Sequence, residues 1–132
     1  MLQKLQSKRG GFTLVEIMIV VAIIALLAAI AVPNFLRARK RSQATRILED
    51  LRELDHAVDQ YAIETGKTTG FNPAFDDLKN YVKAGTVLYS SGKDIYGNDY
   101  GPFTVDSTPK VSDSAFNTLS DVADNAFWSP YN

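Results

Sequence analysis

The sequence predicts an α+β chain. A long N-terminal α-helix, transmembrane and then amphipathic, packs against a small C-terminal head of short helices and a small antiparallel sheet. Three observations predict it. Ile17–Val32 is sixteen residues without a polar side chain. From Ala44 to Tyr61, apolar residues recur three and four apart, the spacing of one helix face. Beyond Thr65-Gly66 short apolar runs are broken by Gly, Pro, Asn and Asp turn signals.

The apolar segment comes first. Extended back to Phe12 it spans about 31 Å of helix, one hydrocarbon core, interrupted only by Thr13 and Glu16. A carboxylate inside such a segment costs about 2.5 kcal/mol or more, and marks function by default. Ahead of it, residues 1–11 hold Lys4, Lys8 and Arg9 and no acid. A basic start before an apolar run also marks a removable secretory signal. Here the run is longer than a signal core. The nearest small-x-small site, Ala29-Ile30-Ala31, would leave a chain beginning Val32-Pro33.

Gly11-Phe12-Thr13-Leu14-Val15-Glu16, with its basic leader and apolar helix, resembles the class III signal of type IV pilins and type II secretion pseudopilins. The likeness covers residues 8–40 and reaches Pro33, where helices of that family often bend. It implies cleavage between Gly11 and Phe12 by a prepilin peptidase, N-methylation of the new Phe12 amine, and a cytoplasmic N-terminus. It further implies lipid storage in the bacterial inner membrane, an assembly platform there, and polymerisation into a helical homo-oligomeric filament, periplasmic or extracellular. Physics gives Glu16 a sensible place in that scheme. A free Phe12 amine stays cationic near neutral pH, and a buried amine and carboxylate are tolerable only when paired. Residues 12 and 16 are i and i+4 on a helix. The pair closes within one chain or between neighbours; the alternative is a Glu16 that snorkels to the headgroups.

Composition bounds the remainder. In 132 residues there is room for one small domain beside the helix. The layout is a cleaved leader over 1–11, a membrane and filament-core helix over 12–33, an amphipathic helix over 34–66, and a head over 67–132 that forms one domain with 34–66. Net charge is −1 overall, but from Ala57 onward five lysines face ten acids. That acidic head argues against a nucleic-acid surface. The chain has no cysteine, which removes thiol chemistry, cysteine-based zinc sites and the C-terminal disulfide loop of many type IV pilins.

Arg37-Ala38-Arg39-Lys40-Arg41 reads as a headgroup-level collar, with an intersubunit or DNA-contacting patch as the alternative. With bases on both sides of the apolar run, charge alone leaves its orientation open. Ala44, Ile47, Leu51, Leu54, Val58 and Tyr61 form the stripe on which the head packs, and Gly66 ends the helix. His56, the lone histidine, reads as helix surface. In the head, Asn72-Pro73 caps a helix over 74–82, with Phe75, Leu78, Tyr81 and Val82 inward. Residues 86–89 and 103–105 read as short strands about a Gly97-Asn98 turn. The stretch from Asp94 to Tyr100 looks like the Asp-x-Trp-Gly-Asn-Pro-Tyr segment of pseudopilin heads. A helix over 114–122 is capped by Ser112 or Asp113, and the aromatic tail 127–131 packs on the head.

No cofactor is expected, with one exception to weigh. Asp94, Asp99 and Asp106 are calcium candidates, although no EF-hand spacing is present and the family's glycine-rich acidic loop is missing. No catalytic set is present either: the histidine is mid-helix, and there is no nucleophile elbow or phosphate-binding glycine loop. The chain reads as a structural filament subunit, of a pilus or of a secretion pseudopilus. The alternative is a membrane-anchored binding domain that never polymerises.

Overall fold

A computed structural model of the protein describes residues 10–132. Lys4, Lys8, Arg9 and the rest of the leader before Gly10 lie outside the described residues. Helix α1 runs Leu14–Thr65, followed by α2 (Phe75–Leu78), a 3-10 turn (Lys79–Tyr81), α3 (Val87–Ser91), α4 (Asp113–Leu119) and α5 (Asn125–Trp128). The chain divides into two units, one ending at Leu36 and one running Arg37–Asn132.

In the first unit every described side chain is exposed, and the 18-residue apolar window of α1 has no buried share. Such a surface in water is unsustainable; this helix is long and apolar enough to cross a membrane. Pro33 sits inside α1. Its ring has no N–H to give the carbonyl of Ala29.

In the second unit the expected stripe is the core. Ala44, Ile47, Leu51, Leu54 and Val58 are buried, joined by Leu48 and Ala57. Leu78, Leu88, Phe103, Leu119 and Trp128 pack into the same cluster from the head. The helix stops where Gly66 turns to φ +66°, and the Lys67 N–H reaches back to the Ala62 carbonyl at 3.0 Å, a Schellman closure.

Among the described residues there are no strands, so the expected antiparallel sheet is corrected to a helical head with two isolated bridges, Lys93–Asp99 and Thr104–Ser107. The physical reasons are local. Thr86 caps α3 by accepting the Tyr89 N–H at 3.1 Å, which turns the β-prone Val-Leu-Tyr run into a helix. Gly92 ends it at φ +62°, where a Cβ would lie 2.9 Å from the Phe75 ring. Asp94 donates its N–H to Asn98 at 2.8 Å, closing a turn, while Val105 pairs with Phe71 (N–H to carbonyl, 2.9 Å) in the segment after α1. The two expected strands therefore find partners other than each other.

The expected cap at Asn72-Pro73 is also displaced. The cap of α2 is Ala74, whose N–H is taken by Asp77 at 3.0 Å, and Asn72 accepts from the Thr104 hydroxyl instead. Leu78 and Val82 are buried, and Phe75 and Tyr81 are half-buried. Of the two caps considered for α4, Ser112 is the one, accepting the Ala115 N–H at 3.2 Å. Trp128 and Tyr131 are buried in the tail, with Phe127 edge-on to Trp128 at 5.0 Å.

Candidate functional site: the N-terminal end of the apolar helix

The first turn of α1 explains why the helix begins where it does. Thr13 is the cap: its hydroxyl accepts the Glu16 N–H at 3.2 Å, and a Glu16 carboxylate oxygen accepts the Thr13 N–H at 3.0 Å. This is a reciprocal capping box, Thr-x-x-Glu, which satisfies two backbone donors that a membrane could not. Phe12 stands one residue before the cap, off the helix, and is 86% exposed. With Ile17 it lines an apolar hollow of about 450 Å³ together with Glu16, Val20 and Val21. Residues 12 and 17 occupy the two positions of a hydrophobic staple, the one before the cap and the fourth of the helix.

The expected site residues Gly11, Phe12 and Glu16 thus gather at one helix end, with one adjustment. Phe12 lies ahead of the first helical residue, Leu14, so it is not on a helical i, i+4 row with Glu16, and in the uncut chain its nitrogen is an amide. The sequence signal missed at this point is Thr13 itself, legible as the first residue of a capping box. Among the described residues nothing lies within 4 Å of where a Cβ would stand on Gly10 or Gly11.

The calcium candidates stay apart. The buried Asp94 carboxylate is filled by protein donors: the N–H groups of Tyr96 and Asn98 at 2.8 and 2.9 Å, the Asn98 amide at 2.9 Å, and the Ser112 hydroxyl at 3.3 Å. Asp99 pairs with Lys93 at 2.7 Å, and Asp106 accepts from the Thr69 hydroxyl. Among the described residues no three His, Cys, Asp or Glu side chains gather where a metal ion could be held.

The basic collar is partly spoken for. Lys40 pairs with Asp121 at 3.0 Å, and Arg41 donates to the Val122 carbonyl at 3.0 Å with its guanidinium 5.4 Å from the Phe127 ring centre. These two contacts tie the C-terminal segment to α1.

Four tyrosines, also missed from sequence, tie the head to α1. Tyr96 donates to Gln43, Tyr100 to Asp50, Tyr131 to Asp55 and Tyr81 to Glu64, at 3.1, 2.9, 3.2 and 2.6 Å. Burial, then the Asp50 charge and hydrogen bond, push the Tyr100 phenol far above its ordinary value, and burial does the same more mildly to Tyr131. Burial also raises the Asp50 carboxyl, against the lowering pull of Tyr100 and Arg46. A raised phenol pKa means that the folded state holds the proton more tightly than the unfolded one. Its stabilisation is complete below the unfolded value of 10.0 and is lost as pH climbs beyond it. Tyr100→Phe is expected to cost about 1–3 kcal/mol at neutral pH, by leaving Asp50 short of a donor. It should also flatten the alkaline fall in stability. Urea midpoints taken from about pH 8 to pH 11 would check both, and an alkaline limb as steep as wild type would assign it to other groups.

Residues 6–32 match the model of the prokaryotic N-terminal methylation motif. The type II secretion system core protein G of Vibrio cholerae serotype O1 is 32% identical over 106 residues, covering 74% of this chain and 72% of its own. Its counterpart in Escherichia coli K12 is 31% identical over 104 residues, 71% of each. The type IV wide pilus major component of Thermus thermophilus is 41% identical over 80 residues, 61% of each. No solved structure matches the chain. A membrane-length apolar helix opened by this motif and followed by a small head is the build of a structural filament subunit. The chain belongs to the family of type II secretion pseudopilins and type IV pilins. Members of that family are structural subunits rather than enzymes, and the apolar helix fits anchoring in the inner membrane ahead of assembly.

Proposed function

We propose that the chain is a subunit of a type II secretion pseudopilus, inserted in the inner membrane with its N-terminus cytoplasmic, cut between Gly11 and Phe12, methylated on the new amine, and polymerised through α1. The observation that carries the secretion reading is the extent of likeness. The core protein G relatives match over 104 and 106 residues, well into the head, whereas the Thermus pilus component matches over 80. The cysteine-free head supports the same reading.

The mechanism is a change of solvent for one helix. In storage the exposed apolar half of α1 faces lipid, and in the filament it faces other copies of itself. Hydrophobic energy nearly cancels between the two, since lipid tails and packed helices are about equally apolar. What does not cancel is charge. The Phe12 amine freed by cleavage is cationic, and the Glu16 carboxylate, already turned back over the cap by Thr13, is its nearest counter-charge. The hydrogen bond missing at Pro33 makes the turn from Ala29 to Pro33 the place where the helix bends as neighbours pack.

Deleting the gene in its host is the test. The expected result is exoproteins retained in the periplasm while surface pili persist; lost pili with secretion intact would favour the pilus reading, which the higher identity to the Thermus protein supports. Processing has its own check. Gly11→Ala is expected to leave the leader attached, and the intact mass of the membrane-extracted protein reads this directly. A Gly11→Ala chain of mature mass would mean that the cut does not need glycine at that position.

A further inference from the structure

We propose that two unlike patches on the Arg37–Asn132 unit dock on each other between successive copies of this chain, forming a head-to-tail contact along the filament. The inference rests on the family's filament role and adds the surfaces that carry the contact.

The first patch is aliphatic, with one base, Arg46, outside any ion pair among the described residues. Arg46 and Lys93 rim a hollow of about 250 Å³ walled by Val87 and Ile95, which are 56% and 38% exposed. Asp50 in the same hollow is engaged by Tyr100, and Lys93 by Asp99, while Arg46 makes no ion pair among the described residues.

The second patch is the complement. Ile63, at 82% the most exposed large apolar side chain of this unit, lines a hollow of about 300 Å³ with Asp59 and Asp106. Asp59 has no ion-pair partner among the described residues. Lys67, on the same rim, is turned over the Phe71 ring with its ammonium 4.4 Å from the centre. An exposed isoleucine beside an unpaired carboxylate meets an aliphatic wall beside an unpaired guanidinium.

Placement on α1 decides what such a contact builds. Arg46 and Ile63 are seventeen residues apart on one helix. That separates the patches by about 25 Å along the axis and about 100° around it. Antiparallel copies would pair both patches twice and stop at a dimer; copies anchored by membrane helices of one orientation lie parallel, so each patch meets the unlike patch of a different neighbour. A heterologous contact of this kind repeats into an open helical polymer.

The absence of native cysteine makes the test clean. Full-length chains carrying Ile63→Cys, Val87→Cys, or both are assembled into filaments and treated with a short bis-maleimide. The double variant is expected to give a ladder of dimers, trimers and higher species. Mixed single variants should stop at dimers, and neither single variant alone should cross-link. In parallel, Arg46→Glu and Asp59→Lys should each lower sheared-filament yield about tenfold from an undiminished membrane pool, and the two charge reversals together should recover most of it. Filaments that form normally but never cross-link, products joined to a different protein, or charge reversals that fail to rescue each other would overturn this contact alone. Wild-type chain that stays dispersed after cleavage would overturn the filament role, and this contact with it.

Discussion

Glu16→Ala is expected to leave a normal, processed membrane pool and almost no filaments. Removing a charge from the apolar segment eases its residence in lipid by about 2.5–3.5 kcal/mol, so storage should not suffer. Docking is different. A subunit entering the helix bundle would bring the Phe12 amine with no carboxylate beside it, and a buried pair broken on one side costs about 3–5 kcal/mol. Loss of the capping box adds about 0.5–2 kcal/mol at the first turn, the smaller effect. Glu16→Gln separates the two, because the amide oxygen still accepts the Thr13 N–H but carries no charge. If charge pairing dominates, Gln should assemble at best partly; if capping dominates, Gln should assemble like wild type. Sheared filaments against membrane pool, for each variant expressed alone, gives the answer. Wild-type filament yield from Glu16→Ala would return the carboxylate to the headgroups as a snorkelling side chain.

The second large effect concerns stability. Leu51 and Leu54 are fully buried where the head closes over α1. Truncating either to Ala should cost about 2–5 kcal/mol, a large share of the 5–15 kcal/mol that stabilises an ordinary domain. In the Arg37–Asn132 fragment, at about 4–8 °C per kcal/mol for a domain of this size, the melting temperature should fall by on the order of 10 °C or more. Ile63→Ala, at a position 82% exposed on the same helix, is the control and should change stability by less than about 0.5 kcal/mol. Equal melting temperatures for the Leu51→Ala and Ile63→Ala fragments would mean that the stripe is not the seat of the head.

Much of this chain is legible because its strongest signals are local. A sixteen-residue apolar run, a glycine before Phe12 and a carboxylate at 16 lie within one short stretch. The stripe from Ala44 to Val58 is legible for a related reason: a helix buried along one side repeats its apolar residues at its own pitch, whatever covers it. Thr13 belonged to the same local signal as Glu16 and was readable as a cap. The strands expected at residues 86–89 and 103–105 were misread for the opposite reason. Their β-prone composition was real, but a strand exists only if a partner offers a ladder. The Thr86 cap folded the first into α3, and Phe71, thirty-four residues back, took up the backbone of Val105.

The sequence by itself determined the membrane-length helix, the signal at its start, the stripe on its second half and the acidity of the head, since composition and periodicity depend on no distant partner. Tertiary structure alone decided how the polar groups are spent. Lys40 meets Asp121 across eighty-one positions, Tyr131 meets Asp55 across seventy-six, and Tyr100 meets Asp50 across fifty. Asp94, a calcium candidate by type, is filled by hydrogen-bond donors of its own head. A carboxylate's residue type says that it must find cations or donors. Only the packed chain decides which ones come within hydrogen-bonding distance.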